Sequence, residues 1–309
     1  MIDVSVVIPM YNASLWLEEC VNSVLSQQGV RMEVLLLDDC STDESLSLAK
    51  QFQKQDERVI VIQHPERVYS AVLRNQGIDL ARGEYIAFID ADDFYPSEDT
   101  LCKLIETARK QDASICGGSL QRWDQQRKAV VSYVPNQYFL NEQWADFVDY
   151  QYVGGFYRYV YRKSFLDQHQ LRFANLRRFQ DCEWLARVMA TNPKFYTIKD
   201  CVYIYRKGHK KVAWNHENLK DYLTGVLSVL NLSKQHEYSI LHFRMAKNFL
   251  DTLAFRLRYR YIEKFRLLPL MIRVYKAIDF KMMGNAHRTL HLNPIVPAKI
   301  LRAFLWGWG

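Results

Sequence analysis

The chain has 309 residues, of which 49% are hydrophobic and 24% are charged, which excludes a disordered chain and favours a globular protein with sizeable cores. No stretch approaches the roughly 18 consecutive apolar residues of a membrane span, and the amino terminus begins with a predicted strand rather than a signal peptide. The six cysteines lack the paired spacing of a zinc site, and free cysteines suit a reducing cytoplasm. The net charge of +7 is uneven, since residues 241–309 hold thirteen Lys and Arg against three Asp and Glu, which indicates a basic end that meets an anionic surface.

The first part of the chain alternates between short apolar runs and amphipathic helical patterns. Strands are predicted at 4–9, 33–38, 59–62, 85–89 and 113–117, and helices at 14–27, 43–54, 70–81 and 97–111. This alternation predicts an α/β fold with a parallel, doubly wound sheet of the Rossmann type. Neither a G-x-G-x-x-G motif nor a Walker A loop is present, so phosphates have to be held in another way.

The rest of the chain changes character twice. Residues 118–214 are rich in Tyr, Trp, Arg and Phe, with predicted strands at 156–161, 195–198 and 202–205 and helices at 142–150 and 181–190. From residue 215 the pattern is helical, at 219–233, 241–261 and 265–279, with a break predicted at Gly284-Asn285. We therefore predict a nucleotide-binding half at 1–117, an acceptor-binding half at 118–214 whose aromatic faces stack on sugar rings, and a basic helical region at 215–309.

Three carboxylates crowd the end of the fourth predicted strand. Asp90, Asp92 and Asp93 follow the apolar run 85–89, and ligands of open α/β sheets bind at the carboxyl ends of the strands. A divalent cation with oxygen ligands relieves their mutual repulsion most simply and also recruits a diphosphate. The alternative is a helix N-cap, for which a single aspartate suffices, so the pattern favours a metal site.

Three further segments are predicted at the same edge: residues 9–12 after the first strand, 38–43 after the second, and 74–77 in the third helix. Tyr11 offers a ring that can stack on a base, and Asp39 can accept the imide N–H of uracil or thymine. Arg74 can meet a base oxygen or a phosphate. For residues 38–43 a turn with a helix cap is an equal alternative.

Four motifs follow one another in the sequence: Pro-Met-Tyr-Asn, Leu-Asp-Asp-Cys-Ser-Thr-Asp, Arg-Asn-Gln-Gly and Ile-Asp-Ala-Asp-Asp. With these motifs, roughly the first 115 residues resemble the family 2 glycosyltransferases of the GT-A fold. The resemblance implies a mixed, mainly parallel GT-A sheet with a helical carboxyl-terminal extension. It also implies inverting transfer of a sugar from a nucleotide-diphosphate donor, usually UDP-linked, with Mn²⁺ or Mg²⁺.

The same resemblance implies roles for individual residues. It places base contacts on Tyr11 and Asp39 and the ribose near Asp90, and Pro9 and Arg74 are further candidates for contact with the nucleotide. The metal falls on Asp92 together with Asp90, and Asp93 is expected to support them or to begin a helix. Cys40 stands where many members have Gly, and we interpret it as a tolerated variation in the turn.

An inverting transfer needs a general base that deprotonates the acceptor hydroxyl. The family usually supplies Glu-Asp at the start of a helix, and Gln180-Asp181 is similar, with Gln in place of the Glu. Asp181 is therefore the implied base and Glu183 the fallback, while a plain helix cap remains the alternative for Asp181. Gln180 does not bring the charge of the replaced Glu, so the contact of that Glu with the donor hydroxyls is not carried over to this chain.

A basic segment at 205–211 resembles the family's Tyr-Arg segment that closes over the donor diphosphate. This resemblance implies a phosphate or metal contact by Arg206 or His209. A solvated basic loop is an equal alternative.

The basic, Trp-ended tail at 298–309 has three interpretations. Helical packing with solvated charge is the commonest, nucleic-acid binding lacks any recognisable motif, and contact with an anionic membrane surface suits basic and aromatic residues. Because acceptors of this family are often lipid-linked, we favour the membrane and expect no nucleic acid.

The resulting prediction is a cytoplasmic enzyme, peripheral on the inner face of the cell membrane. It transfers a hexosyl or N-acetylhexosaminyl group from a nucleotide-sugar donor to a glycan or lipid-linked glycan, in surface polysaccharide or lipopolysaccharide synthesis. A catalytically decayed sugar-nucleotide or glycan-binding relative is the alternative. A nucleotidyltransferase, which would normally show a Gly-rich loop after the first strand, is the third hypothesis.

Overall fold

The computed structural model describes residues 1–130, 139–207, 214–256 and 262–290. Their contacts divide the chain into two compact units. The first unit takes the described residues of Met1–Tyr150, Gly154–Asn175 and Thr191–Ala213, and the second takes those of Gln151–Val153, Leu176–Ala190 and Trp214–Gly309. The predicted boundaries near residues 117 and 214 stay predictions.

One mixed sheet forms the centre of the first unit. Its described strands are β1 Val4–Met10, β2 Met32–Asp38, β3 Val59–Gln63, β4 Tyr85–Phe88, β5 Ile115–Asp124, β6 Ala129–Val130, β7 Gln143–Asp146, β8 Tyr159–Arg162 and β9 Lys194–Lys207. The order is β3-β2-β1-β4-β8-β5-β9-β7, with β6 paired to β5. Strands β1 to β5 and β9 run one way and the others run against them. The predicted mixed, mainly parallel sheet is therefore confirmed, and six carboxyl ends share one edge.

Helices flank this sheet and continue the chain after it. The first unit contains α1 Leu17–Leu25, α2 Ser45–Gln55, α3 Tyr69–Leu80, α4 Thr100–Lys110, α5 Phe147–Tyr150 and α6 Lys163–Gln168. Most of α7 Gln180–Thr191 belongs to the second unit, followed by α8 His216–Gln235, α9 Ser239–Arg256, α10 Ile262–Ala277 and α11 Phe280–Leu290. The predicted helical carboxyl-terminal region is thus present in the described residues.

Close packing of α3 on β1 positions part of the candidate site. A Cβ atom at Gly77 would lie 2.4 Å from Cγ1 of Val7, which no real contact allows. Glycine therefore lets the helix lie directly on the strand. One turn earlier on the same helix, Arg74 is carried to the carboxyl edge of the sheet, where it contacts Asp90.

Two expectations for the middle of the chain are wrong. The predicted helix at 142–150 begins instead as strand β7, which pairs antiparallel with β9, and only Phe147–Tyr150 is helical. Trp144 packs edge-on against Tyr196 across this pair, so cross-strand packing overrides local helix propensity. The strands predicted at 195–198 and 202–205 form the single strand β9, whose register against β5 shifts on either side of Ser119.

The helical second unit contains a buried polar connection. His242 on α9 accepts the backbone N–H of Asp279 at Nε2 (2.8 Å), so its Nδ1 carries the proton and donates to Oγ of Ser233 (2.9 Å). Burial lowers the pKa of His242 and favours this neutral form. The imidazole therefore joins α8, α9 and the start of α11.

The break predicted at Gly284-Asn285 is also wrong, since α11 continues through both residues. Glycine within a helix costs only about 1 kcal/mol relative to alanine. The tail at 298–309 lies outside the described residues. Among the residues that the structure does describe, no helix combines the length and apolar character needed to cross a membrane.

Candidate functional site

Side-chain hydrogen bonds join the loops that follow β1 and β2. Asn12 accepts the N–H of Thr42 at 2.8 Å and donates its own N–H to Oγ of Ser41 at 3.1 Å. Asn12 has φ of 47°, in the left-handed region that asparagine tolerates better than most residues. Pro9 is buried inside β1 in register with Leu37, so the strand continues one residue beyond it. The two loops therefore present a single surface at the carboxyl edge.

Asp39 is held at this surface by the chain's own donors. It is 2% exposed, and its Oδ1 accepts the N–H groups of Val68 at 2.6 Å and Tyr69 at 3.0 Å. Nε and Nη2 of Arg67 each lie 3.4 Å from its Oδ2. One oxygen is thus bonded to backbone, and the other faces an arginine.

Arg67 also covers Tyr11, the residue expected to stack on a base. Its guanidinium carbon lies 3.5 Å from the centroid of the Tyr11 ring. The structure therefore brings Tyr11 and Asp39 together around a cation that the sequence analysis did not single out. An arginine just before α3, in the loop that follows a strand at this edge, is the signal that could have identified it.

Cys40 adopts φ of 60°, in the left-handed region that glycine enters without steric penalty. This geometry explains why glycine suits the position. The cysteine is accommodated in the turn with a conformational cost, and its Sγ lies 3.5 Å from the Pro65 carbonyl oxygen.

Arg74 lies beneath the acidic turn after β4. It is 4% exposed, and its Nη2 lies 2.7 Å from Oδ1 of Asp90. Its guanidinium carbon is 4.8 Å from the ring centroid of Phe156 and 5.5 Å from that of Phe173. Its Nε and Nη1 are buried and find no hydrogen-bond partner among the described residues. In this geometry Arg74 positions the Asp90 carboxylate, and its expected base or phosphate contact stays a prediction.

Asp93 is the structural member of the acidic turn. It is 1% exposed, its Oδ2 accepts the hydroxyl of Tyr203 at 2.7 Å, and its Oδ1 accepts the N–H of Arg206 at 2.7 Å. The Tyr203 oxygen in turn accepts the N–H of Asp90 at 3.1 Å. Burial and the negative charges of Asp92 and Asp90 raise the pKa of Asp93. The supporting role expected for Asp93 agrees with these contacts.

Arg206 is held against the acidic turn by acceptors of the chain itself. It is 3% exposed, and its Nε donates to the carbonyl oxygen of Asp92 at 2.8 Å. Its Nη1 donates to Gln125, and its Nη2 forms an ion pair with Glu19. Because the chain itself takes these donors, Arg206 braces the Asp92–Asp93 turn in this structure, and its predicted phosphate contact stays a prediction. His209, the other predicted phosphate residue, lies outside the described residues.

Asp90 and Asp92 form a donor set that suits a hard cation. The Asp90 side chain is 30% exposed and Asp92 is 7% exposed. In the described part of the chain, no group of three or more His, Cys, Asp and Glu side chains is arranged around a common metal position. Mg²⁺ is nevertheless bound at many sites by one or two carboxylates together with substrate phosphates. The two aspartates fit that chemistry.

The predicted base belongs to the second unit, at the start of α7. Phe179, with φ of 70°, precedes the helix and packs edge-on against Tyr222. A Cβ atom at Gly225 would lie 2.8 Å from Cδ1 of Phe179, so glycine on α8 leaves room for this strained residue. Asp181 follows in the first helical turn and is half-buried.

Glu183, the fallback base, is committed to other contacts. It is 5% exposed and pairs with Nε and Nη2 of Arg187 at 2.8 and 2.9 Å. Its Oε1 also accepts the hydroxyl of Ser228 at 3.0 Å. Because Arg187 and Ser228 occupy both oxygens of this carboxylate, the structure favours a structural role for Glu183 over that of the base.

Comparison with known proteins gives a consistent result. The profile described as Glycosyl transferase family 2 matches residues 5–188. Glycosyltransferase GlyG of Streptococcus pneumoniae is 31% identical over 66% of this chain and 70% of its own length. The putative teichuronic acid biosynthesis glycosyltransferase TuaG of Bacillus subtilis is 29% identical over 69% of this chain and 82% of its own. The crystal structure of S. aureus TarS 1–349 in complex with UDP-GlcNAc superposes with a TM-score of 0.71 at 19% identity, over 91% of this chain and 82% of that 1–349 chain, a likeness of fold.

Proposed function

The chain belongs to glycosyl transferase family 2, and from that premise we propose that it transfers a sugar, with inversion, from a UDP-sugar to a hydroxyl of a glycan or lipid-linked glycan. The pathway would be synthesis of a surface polysaccharide or lipopolysaccharide. The observation that carries the proposal is the carboxyl edge of the sheet, where Tyr11 and Asp39 stand together and Asp90 and Asp92 follow a neighbouring strand.

The proposal of a UDP-sugar donor rests on base chemistry and on the relatives. Tyr11 is 37% exposed and offers a flat ring, and Asp39 is a carboxylate that can accept the imide N–H of uracil. TarS, which shares the fold, was crystallised with UDP-GlcNAc. The name of TuaG supports a role in cell-surface polymer synthesis.

We propose that Asp92, with Asp90, holds Mn²⁺ or Mg²⁺. Such a cation, when bound, supplies positive charge that stabilises a leaving diphosphate. The chain itself positions the two aspartates through different arginines. Arg74 neutralises one oxygen of Asp90, and Arg206 fixes the backbone of Asp92.

We propose Asp181 as the general base. Its carboxylate takes the proton of the acceptor hydroxyl while that oxygen bonds to the anomeric carbon. The bond from the anomeric carbon to the diphosphate oxygen breaks, and UDP leaves with that electron pair. Because one displacement forms one bond and breaks one, the configuration at the anomeric carbon is inverted.

Release of UDP from a panel of UDP-sugars, with and without Mn²⁺ or Mg²⁺, tests the proposed function. We expect one donor to give metal-dependent release that increases when a glycan acceptor is added. UDP binding without turnover for any donor and acceptor would instead identify a decayed sugar-nucleotide-binding relative. Absence of both binding and turnover in folded protein would contradict the proposal.

We further propose that the basic carboxyl-terminal region contacts an anionic membrane surface, which would place the protein at the inner face of the cell membrane. The support is the excess of thirteen Lys and Arg over three Asp and Glu at 241–309. Deleting residues 298–309 should reduce the fraction that pellets with anionic vesicles. An unchanged fraction would reject the tail as the anchor.

A further inference from the structure

We infer that Arg67 is a built-in competitor for the nucleobase. Its guanidinium takes the place of a uracil beside Tyr11 and Asp39, and donor binding has to displace it. This inference rests on the proposed function, because it assumes that Tyr11 and Asp39 receive the base.

The Arg67 guanidinium resembles a nucleobase first in the way it stacks on Tyr11. A guanidinium is planar and delocalised, and it stacks on aromatic faces as a base does. The carbon of the Arg67 guanidinium lies 3.5 Å from the Tyr11 ring centroid, which is the distance of direct stacking. A base cannot use that face of Tyr11 while the guanidinium covers it.

The hydrogen-bond pattern is the second element. Uracil would present one imide N–H to Asp39, and Arg67 presents Nε–H and Nη2–H to the same carboxylate. Oδ1 of Asp39 already accepts two backbone N–H groups from Val68 and Tyr69, so Oδ2 is the oxygen left for the base. Both Arg67 nitrogens lie 3.4 Å from it, at the long end of hydrogen bonding, and such a contact is readily exchanged.

Exposure determines which partner moves. The Arg67 side chain is 41% exposed, whereas that of Asp39 is 3% exposed. The Asp39 carboxylate is fixed by backbone donors that do not depend on Arg67. The guanidinium can therefore swing into solvent while the acceptor stays in place, and the ring of Tyr69, 4.9 Å from the guanidinium, offers it a second aromatic face.

The displacement has a modest cost, because an exposed cation–π contact and a partly exposed ion pair are each worth little. Arg67→Ala removes both and should tighten UDP binding by about fivefold. Loss of positive charge works against this gain, because UDP is an anion. Arg67→Lys loses the planar face but can still pair with Asp39, so it removes only part of the competition and should tighten UDP binding by a smaller factor.

The test is calorimetric titration of the full chain with UDP and, separately, with inorganic pyrophosphate. Arg31→Ala is the matched control, because Arg31 is also an exposed arginine paired with a shielded aspartate, Asp3, and Asp3 retains Arg109 as a second partner. We expect tighter UDP binding in the Arg67 variants, no gain for pyrophosphate, and no change in Arg31→Ala.

One result would overturn the inference while leaving the proposed function intact: the wild-type protein binds UDP, and Arg67→Ala binds it with equal or lower affinity. Weaker binding would make Arg67 a donor contact rather than a competitor. A gain for pyrophosphate as large as that for UDP would also overturn it, since the effect would not involve the base. If neither wild type nor Arg67→Ala binds UDP, the proposed function fails and the inference fails with it.

Discussion

Two acidic regions of the molecule, the Asp90–Asp93 turn after β4 and the start of α7, share one arrangement. Each has one buried, hydrogen-bonded acid and one acid that is more exposed. In the turn, Asp93 is buried and bonded to the Tyr203 hydroxyl and the Arg206 N–H. At α7, Glu183 is buried and bonded to Arg187 and the Ser228 hydroxyl. In each region a nearby aspartate, Asp90 or Asp181, remains more exposed. Burial and hydrogen-bond partners therefore mark Asp93 and Glu183 as the structural acids of these two regions, whereas Asp92 is a candidate metal ligand despite its burial.

The two regions differ in where the supporting groups come from. Tyr203 and Arg206 lie on β9, far along the chain from the turn they hold. Arg187 lies one helical turn after Glu183, and Ser228 lies on the adjacent helix α8. A buried carboxylate without such partners would cost several kcal/mol. The Asp90–Asp93 turn thus depends on contacts with residues distant in the sequence, whereas the start of α7 is supported largely by its own helix.

The largest effect is expected at Asp181, the proposed general base. Asp181→Asn should lower turnover by about 10² to 10⁴ while UDP binding is kept, because the amide cannot accept a proton. Turnover is measured as UDP release and binding by calorimetry. Full activity in the variant would reject Asp181 as the base.

Glu183→Gln is the matched variant for Asp181→Asn. It should destabilise the fold by about 1–3 kcal/mol, because the amide leaves the half-buried Arg187 beside a neutral partner. Its turnover, measured on folded protein, should stay within about tenfold of wild type. A loss as large as that of Asp181→Asn would return Glu183 to the role of base.

A smaller effect is expected in the acidic turn. Tyr203→Phe removes the hydroxyl that donates to Asp93 and accepts from Asp90. Both partners are left short of a hydrogen bond, so urea denaturation should show a loss of about 1–3 kcal/mol in unfolding free energy. Tyr196→Phe, at a half-buried ring of the same strand, should change it by less than about 0.5 kcal/mol. Equal effects in the two variants would mean that the Tyr203 hydroxyl does not stabilise the turn.

The smallest effect is expected at Cys40. A left-handed conformation costs a non-glycine residue about 1–2 kcal/mol, and replacing Cys40 with glycine removes this cost. The greater freedom of glycine in the unfolded chain offsets about 0.5–1 kcal/mol of that gain. Cys40→Gly should therefore raise the unfolding free energy by about 0.5 kcal/mol. Cys40→Ala keeps the strain, and equal stabilisation by alanine would show that the backbone conformation is not the cause.

The order of strands and helices in the first part of the chain was predictable because each element carries its own periodic pattern and its loops carry turn residues. The same patterns placed Tyr11, Asp39 and the acidic turn at one edge of the sheet, since parallel strands share their carboxyl ends. The family match over residues 5–188 agrees with that assignment.

Long-range partners could not be predicted in the same way. Nothing near Arg206 in the sequence indicates that Glu19, Gln125 and Asp92 take its donors. The sequence at 142–150 favours a helix, but pairing with β9, which is a tertiary contact, makes its first part strand β7. No local pattern marks Arg67, because its significance comes from Tyr11 and Asp39, which other loops supply.

The most direct measurement is UDP affinity with and without Mn²⁺ in wild type, Asp92→Asn and the control Asp99→Asn, whose side chain is 54% exposed and paired with Lys103. If the acidic turn holds the donor through a cation, Mn²⁺ should tighten UDP binding by about tenfold or more in wild type and Asp99→Asn. It should have little effect in folded Asp92→Asn. Equal affinity with and without Mn²⁺ in wild type, or an unchanged response in Asp92→Asn, would contradict the role proposed for this turn.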